Sequence, residues 1–265
     1  MGDIILFPEI EELEKEIERL RTEISMLMAQ RDELQFVVCK NIEMEYMLRL
    51  GGLEHQAFSL QCKYLRLKRK AEMIRARLNR REQVDLELID AMLDEEFATY
   101  QAKLDEQIRK MRDAANWKNA RELTDEETKE VKRRYRRIVK ALHPDLNPDV
   151  TPAQIDLFHQ AVSAYENGDL MTLRMIDDMV CQEDLPAEKQ NAVQELQNRR
   201  EQLRKLAETV RTEIDTIKTS FPYTERELLR NEAMIAERRE DLQTLIDEYT
   251  KAITDMQKQI NQMMR

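Results

Sequence analysis

Apolar residues recur at alternating steps of three and four along most of this 265-residue chain. The first run opens after Pro8, a residue suited to a helix start, and comprises Ile10, Leu13, Ile17, Leu20, Ile24, Leu27, Leu34 and Val38. It is a heptad seam with Arg31 as its polar interruption. Gly51-Gly52 predicts a break, and a second seam follows at Leu60, Tyr64, Leu67, Ala71, Ile74 and Leu78. Residues 1–80 therefore read as an N-terminal coiled-coil hairpin with antiparallel arms. No glycine or proline occurs over 53–143, so any break there falls to polar clusters such as "NRRE" (79–82) and "NWKN" (116–119). Between them Ile89, Leu93, Phe97, Tyr100, Leu104, Ile108 and Met111 predict a connecting helix within 81–122.

The C-terminal part, 181–265, repeats this logic and predicts a second antiparallel coiled-coil hairpin. Its first arm, 187–219, carries Val193, Leu196, Leu203, Leu206, Val210, Ile214 and Ile217. "SFPYTERE" supplies a turn and a capping box, with Thr224 as N-cap and Glu227 reaching back. The last seam is Leu242, Ile246, Tyr249, Ile253, Met256, Ile260 and Met263. A helix starting at Thr224 would be on the order of 60 Å long.

Residues 123–180 have a different rhythm. Thr124 and Glu127 form a capping box, and Val131, Tyr135, Ile138 and Leu142 then make one apolar face. Residues 129–140 hold seven basic side chains against one acid, with Lys132, Arg133, Arg136, Arg137 and Lys140 on the outer side. Pro144 ends this helix, because the residue before a proline is pushed out of the α region. His143 then lies at a helix C-terminus, where positive charge is favoured, and Asp145 lies in the loop. Thr151-Pro152 opens the next helix, which buries Ile155, Phe158, Val162 and Tyr165; Asn167-Gly168 ends it. Leu170, Leu173 and Ile176 mark a third short helix.

Composition agrees with the periodicity. Charged residues make up 36% of the chain and aromatics 5%, with only four glycines, so long helices are favoured over sheets. The expected class is all-α, with long coiled-coil helices flanking a small helical unit. The net charge of −10 argues against general nucleic-acid binding, and the basic helix lacks the aromatics that would read bases. Cys39, Cys62 and Cys181 have no CxxC spacing and read as reduced thiols. "MGDIILFPEI" has neither a basic segment nor a long apolar run, so no signal peptide is expected, nor a membrane span; the expected location is the cytoplasm. His143, Asp145 and His159 lack paired metal-ligand spacing, and no nucleophile–base or paired-carboxylate arrangement is present, so neither metal, cofactor nor enzyme activity is expected.

"YRRIVKALHPDLNP" (135–148) followed by "FHQAVSAY" (158–165) resembles helix II, the loop and helix III of the J domain of DnaJ-type co-chaperones. The matching positions are Tyr135-Arg136, His143-Pro144-Asp145, Phe158 and Ala164-Tyr165. The stretch departs from the family in lacking a Tyr-x-x-Leu-Gly-Val helix I before Thr124; the helix with Phe97, Tyr100 and Leu104 substitutes for it, or it is absent. Arg134 stands where a small residue usually packs, and Leu146 where a lysine often follows. With no Gly/Phe-rich linker and no CxxCxGxG repeat, the chain is similar to members sharing only the J domain.

The resemblance implies a partner, a DnaK-type (seventy-kilodalton heat-shock) chaperone whose ATP hydrolysis is stimulated. The basic face Lys132, Arg133, Arg136, Arg137 and Lys140 would meet an acidic patch on it, and Asp145 would accept a hydrogen bond from a partner arginine, with His143 and Pro144 shaping the loop. The coiled coils would select a client or a location. Met26, Met28, Met44 and Met47 either line an adaptable client surface or fill irregular seams. Heptads leave open whether the arms pair within the chain or in a homodimer. The competing expectation is a coiled-coil scaffold with a vestigial J-like segment.

Overall fold

The heptad seams fold as helices, and the computed structural model of the chain is all-α. It describes residues 8–118, 123–180 and 193–264, among which no strand occurs. Expectations for the stretch before Pro8, for Asn119, for Cys181 and for 187–192 lie outside the described residues. In chain order the elements are α1 (Pro8–Asp32), a π-helical segment (Glu33–Cys39), α2 (Lys40–Tyr46), a second π segment (Met47–Gly51) and α3 (Gly52–Asn79). Then follow α4 (Leu86–Glu96), α5 (Ala98–Lys118), α6 (Asp125–Leu142), α7 (Pro152–Glu166) and α8 (Leu170–Val180). The chain ends with α9 (Val193–Thr219), α10 (Arg226–Arg230) and α11 (Glu232–Met263). Among the described residues no helix is long and apolar enough to cross a membrane.

The chain divides into two compact units, one formed by 1–40 with 121–224 and the other by 41–120 with 225–265. This partition corrects the expected hairpins. In the first unit α1 packs along α9, and in the second α3 packs along α11. Both pairs run parallel. Glu16 meets Arg200 and Arg204, Glu23 meets Arg211, and Arg31 meets Glu213, so the partners advance in step. Likewise Glu54 meets Arg238, and the Tyr64 ring lies 5.9 Å from that of Tyr249. A seam declares that a helix needs a partner, and here each arm finds it in a segment distant in sequence.

Gly51-Gly52 does not break the helix. Gly51 has φ −54° and ψ −37°, Gly52 has φ −64° and ψ −43°, and both stay in the right-handed helical region. Gly51 is buried where a Cβ would lie 3.3 Å from Met111 Cγ, so the missing side chain lets α5 approach closely. The break comes instead at "NRRE", where Arg81 adopts φ 58° and Asp85 then caps α4 by accepting from the Leu88 amide at 3.0 Å. Phe97 divides the expected connecting helix into α4 and α5. In the second unit Ile89 and Leu93 of α4 join Ala71, Ile74 and Ile260 in one apolar cluster.

The last helix is also shorter than expected. Tyr223–Glu225 forms a 3₁₀ turn, and Asn231, not Thr224, caps α11 by accepting from the amides of Ala233 and Met234. Its 32 residues span about 48 Å.

In the first unit α6, α7 and α8 pack on one another, and α6 also packs on α1. The capping box expected at Thr124 forms, and the N-cap expected at Thr151 is completed as a second box. Thr124 Oγ1 accepts from the Glu127 amide at 3.2 Å while Glu127 accepts from the Thr124 amide at 2.9 Å, and Thr151 with Gln154 does the same. The apolar faces of α1, α6, α7, α8 and α9 share one core, so the small helical unit is built onto the long pair. Gly168, with φ +66°, supplies the left-handed turn between α7 and α8.

Candidate functional site, the loop after helix α6

The core beneath the site follows the predicted stripe. Val131, Tyr135, Ile138, Leu142, Phe158 and Tyr165 are buried, and Val162 is half-buried against the same cluster. The rings of Tyr135 and Tyr165 stack with centroids 4.0 Å apart. The Tyr135 hydroxyl donates to Oδ2 of Asp32 at 2.7 Å, and Arg31 donates to Oδ1 of the same carboxylate at 2.8 Å. Asp32, only 3% exposed, thus joins α1 to the centre of α6. Burial, and then the neighbouring Asp32 charge, raise the Tyr135 pKa well above the usual phenol range, so its proton stays in that bond.

Position beside α6 is taken by α1. The helix bearing Phe97, Tyr100 and Leu104 lies in the other unit and is not the substitute expected for it. Arg134 is not a packing fault: it donates to Asp177 at 2.6 Å and to Glu130 at 2.8 Å, joining α6 to α8. Glu130 also accepts from Arg174, first in effect, and the two arginines hold its carboxyl down at about 2. Leu146 plugs the core at 1% exposure, which a lysine there would not do.

The loop itself is tightly folded. His143 caps α6 in an extended conformation (φ −63°, ψ 125°), as expected before Pro144. Its ring packs edge-on against Phe158, centroids 5.1 Å apart, and Nδ1 accepts from the Asp145 amide at 3.2 Å. That bond places the neutral ring's proton on Nε2. Burial lowers the His143 pKa, with the Asp145 charge opposing. Removal from water thus acts against the positive charge that a helix C-terminus favours.

The His143 carbonyl accepts from the amides of Leu146 at 3.0 Å and Asn147 at 2.9 Å. Buried Asn147 also donates its side-chain amide to the Lys140 carbonyl at 2.9 Å, satisfying one of the acceptors left at the end of α6. Asp145 points outward. Its side chain is exposed, and its carboxylate has no hydrogen bond or ion pair among the described residues.

The basic ridge is less open than the sequence suggests. Lys132 pairs with Glu33 at 2.6 Å, Lys140 with Glu18 at 2.8 Å, and Arg137 with Asp177. Arg133 and Arg136 are exposed and carry no ion pair among the described residues. Of the five predicted cations, two are therefore presented bare and three already face acids of the same chain.

Several residues of the site escaped the sequence reading. Asn147 carries a weak signal, being a turn residue before a proline. Asp32, next to the polar interruption of the first seam, carries another. Glu18, Glu33 and Asp177, 1% exposed, give none, because the helix that receives each is not legible from its own neighbours. The methionines divide: Met28 and Met44 are buried, Met47 is half-buried and Met26 is exposed. Met171, Met175 and Met179, at helical spacing on α8, are each more than half exposed. His159 is exposed, and among the described residues no group of three or more His, Cys, Asp or Glu side chains is arranged to hold a metal ion. Cys39 and Cys62 are both buried. Comparison of the chain with protein-family models, with curated proteins and with solved structures yields no match.

Proposed function

We propose that the chain is a co-chaperone of the J-domain type, which binds a DnaK-type chaperone and stimulates its ATP hydrolysis. The observation that carries this reading is the exposed Asp145 carboxylate, unpaired among the described residues, on a rigid loop at the end of a helix that presents Arg133 and Arg136. Complementary charge accelerates encounter and sets orientation, and the free carboxylate is then available to an arginine of the partner. His143 shapes the loop from within, through its ring packing and its acceptor nitrogen. The chain shifts its partner's conformational equilibrium and carries out no chemistry itself. The parallel helix pairs would choose the client or the location, in the cytoplasm.

A scaffold with a vestigial J-like segment is the second reading. What favours it is that Lys132, Arg137 and Lys140 are already occupied by acids of this chain. The two are separated by the steady-state ATPase rate of a DnaK-type chaperone with wild-type chain, His143→Gln or Asp145→Asn. The co-chaperone reading expects stimulation by wild type and little by either variant. No stimulation by wild type leaves the scaffold.

A further inference from the structure

Three consecutive loop residues are gripped by arginines from two different helices. Arg199 of α9 donates through Nη2 to the carbonyl of Asp145 at 3.3 Å and to that of Leu146 at 3.1 Å. Arg21 of α1 donates to Oδ1 of Asn147, whose amide in turn donates to the His143 carbonyl at 3.3 Å and to that of Lys140. Neither arginine lies within 123–180. The loop is thus completed by the long helix pair on which the small unit sits.

From this geometry we propose that Arg21 and Arg199 are positioning residues that fix the direction in which Asp145 is presented, and that they do so only while α1 and α9 lie side by side. The inference rests on the reading that Asp145 meets a chaperone. Holding the carbonyls of Asp145 and Leu146 directly, and that of His143 through Asn147, keeps Asp145 in one orientation within the bound complex, so that contact once made is productive. Because the two donors come from separate helices, both can hold the loop only while α1 and α9 stay together, and parting them takes at least one donor away. The helix pair is then a structural input to the loop as well as its support.

The test uses the full chain with Arg199→Met and Arg21→Met, which keep the apolar stem and remove the donors. Two readouts are needed. Amide hydrogen exchange at Leu146, Asn147 and Val150 reports the loop, with the α6 amides as an internal control for folding. Stimulated ATPase rate against chain concentration reports the partner. The loop amides are expected to exchange about tenfold faster while α6 is unchanged. The maximal stimulated rate is expected to fall about tenfold, with the half-saturating concentration shifting less than about twofold, because the ridge is intact.

Loop amides that exchange as in wild type in both variants overturn the proposal. So does a rise in half-saturating concentration alone, which would mean that the arginines touch the partner directly. Asp145→Asn should abolish stimulation without loosening the loop amides. If wild type fails to stimulate yet the loop amides loosen in the arginine variants, the positioning stands and the chaperone reading falls.

Discussion

Replacing Tyr135 by Phe tests the joint between α6 and α1. The phenyl ring keeps the stacking on Tyr165, so little packing is lost; what goes is the hydroxyl that donates to Asp32. Asp32 retains Arg31 on Oδ1, but Oδ2 is left buried without its donor. A hydrogen bond to a charged group contributes about 1.5–3 kcal/mol, and an abandoned buried acceptor costs a similar amount. The expected destabilisation is therefore about 2 kcal/mol, or roughly 30-fold in the opening equilibrium. Two compact units make a single denaturation midpoint a poor measure, so the readout should be native-state hydrogen exchange at the α6 amides. A double-mutant cycle with Asp32→Asn isolates the pair, and its coupling should exceed about 1 kcal/mol. A loss under about 0.5 kcal/mol with coupling near zero would refute the claim that this bond fastens α6 to α1.

Three further outcomes follow from other parts of the molecule. Removing Arg133 and Arg136 together should slow association with a DnaK-type chaperone about tenfold at low salt, by stopped-flow mixing, and the difference should shrink as salt rises. Lys132→Ala should slow it less, because Glu33 already occupies that charge; equal effects would contradict the masking. Acid should loosen this region in two steps. The folded His143 pKa is lowered, so its contribution is complete above about 6.5 and is lost as pH falls through the folded value. Glu130 contributes fully above about 4.5 and is lost as pH falls through about 2, so Glu130→Gln should flatten the lower step of an α6–α8 exchange profile. Finally, Gly168→Ala should destabilise by about 1–2 kcal/mol because of its left-handed backbone, whereas Gly52→Ala, helical and with open space around it, should stabilise by about 0.4–1 kcal/mol. Native-state hydrogen exchange, read in the unit that carries each glycine, checks this; shifts in the same direction for the two variants would contradict that contrast.

The local parts of this fold were legible because their causes are local. Thr124 with Glu127, the helix start at Thr151-Pro152 and the stop at Pro144 depend on neighbours within four residues, and the apolar stripe through Val131, Tyr135, Ile138 and Leu142 depends only on helical period. Partner choice was not legible. The seam of Ile17 and Ile24 would accept many apolar helices, and nothing in residues 9–38 names α9 over α3. Gly51-Gly52 misled for a related reason: a glycine's helix penalty of about 1 kcal/mol is small beside the packing gained when α5 closes over Gly51. The same limit applied at the site. His143, Pro144 and Asp145 stood out in the sequence, whereas Arg21, Arg199 and Asp32 acquire their roles only once α1 and α9 meet the small unit.

The most direct test of the central claim is single-turnover ATP hydrolysis by a DnaK-type chaperone, measured with and without the full chain. Acceleration by wild type, together with near-basal rates for Asp145→Asn, is the predicted result. A flat response to wild type, or an Asp145→Asn chain as effective as wild type, would contradict it.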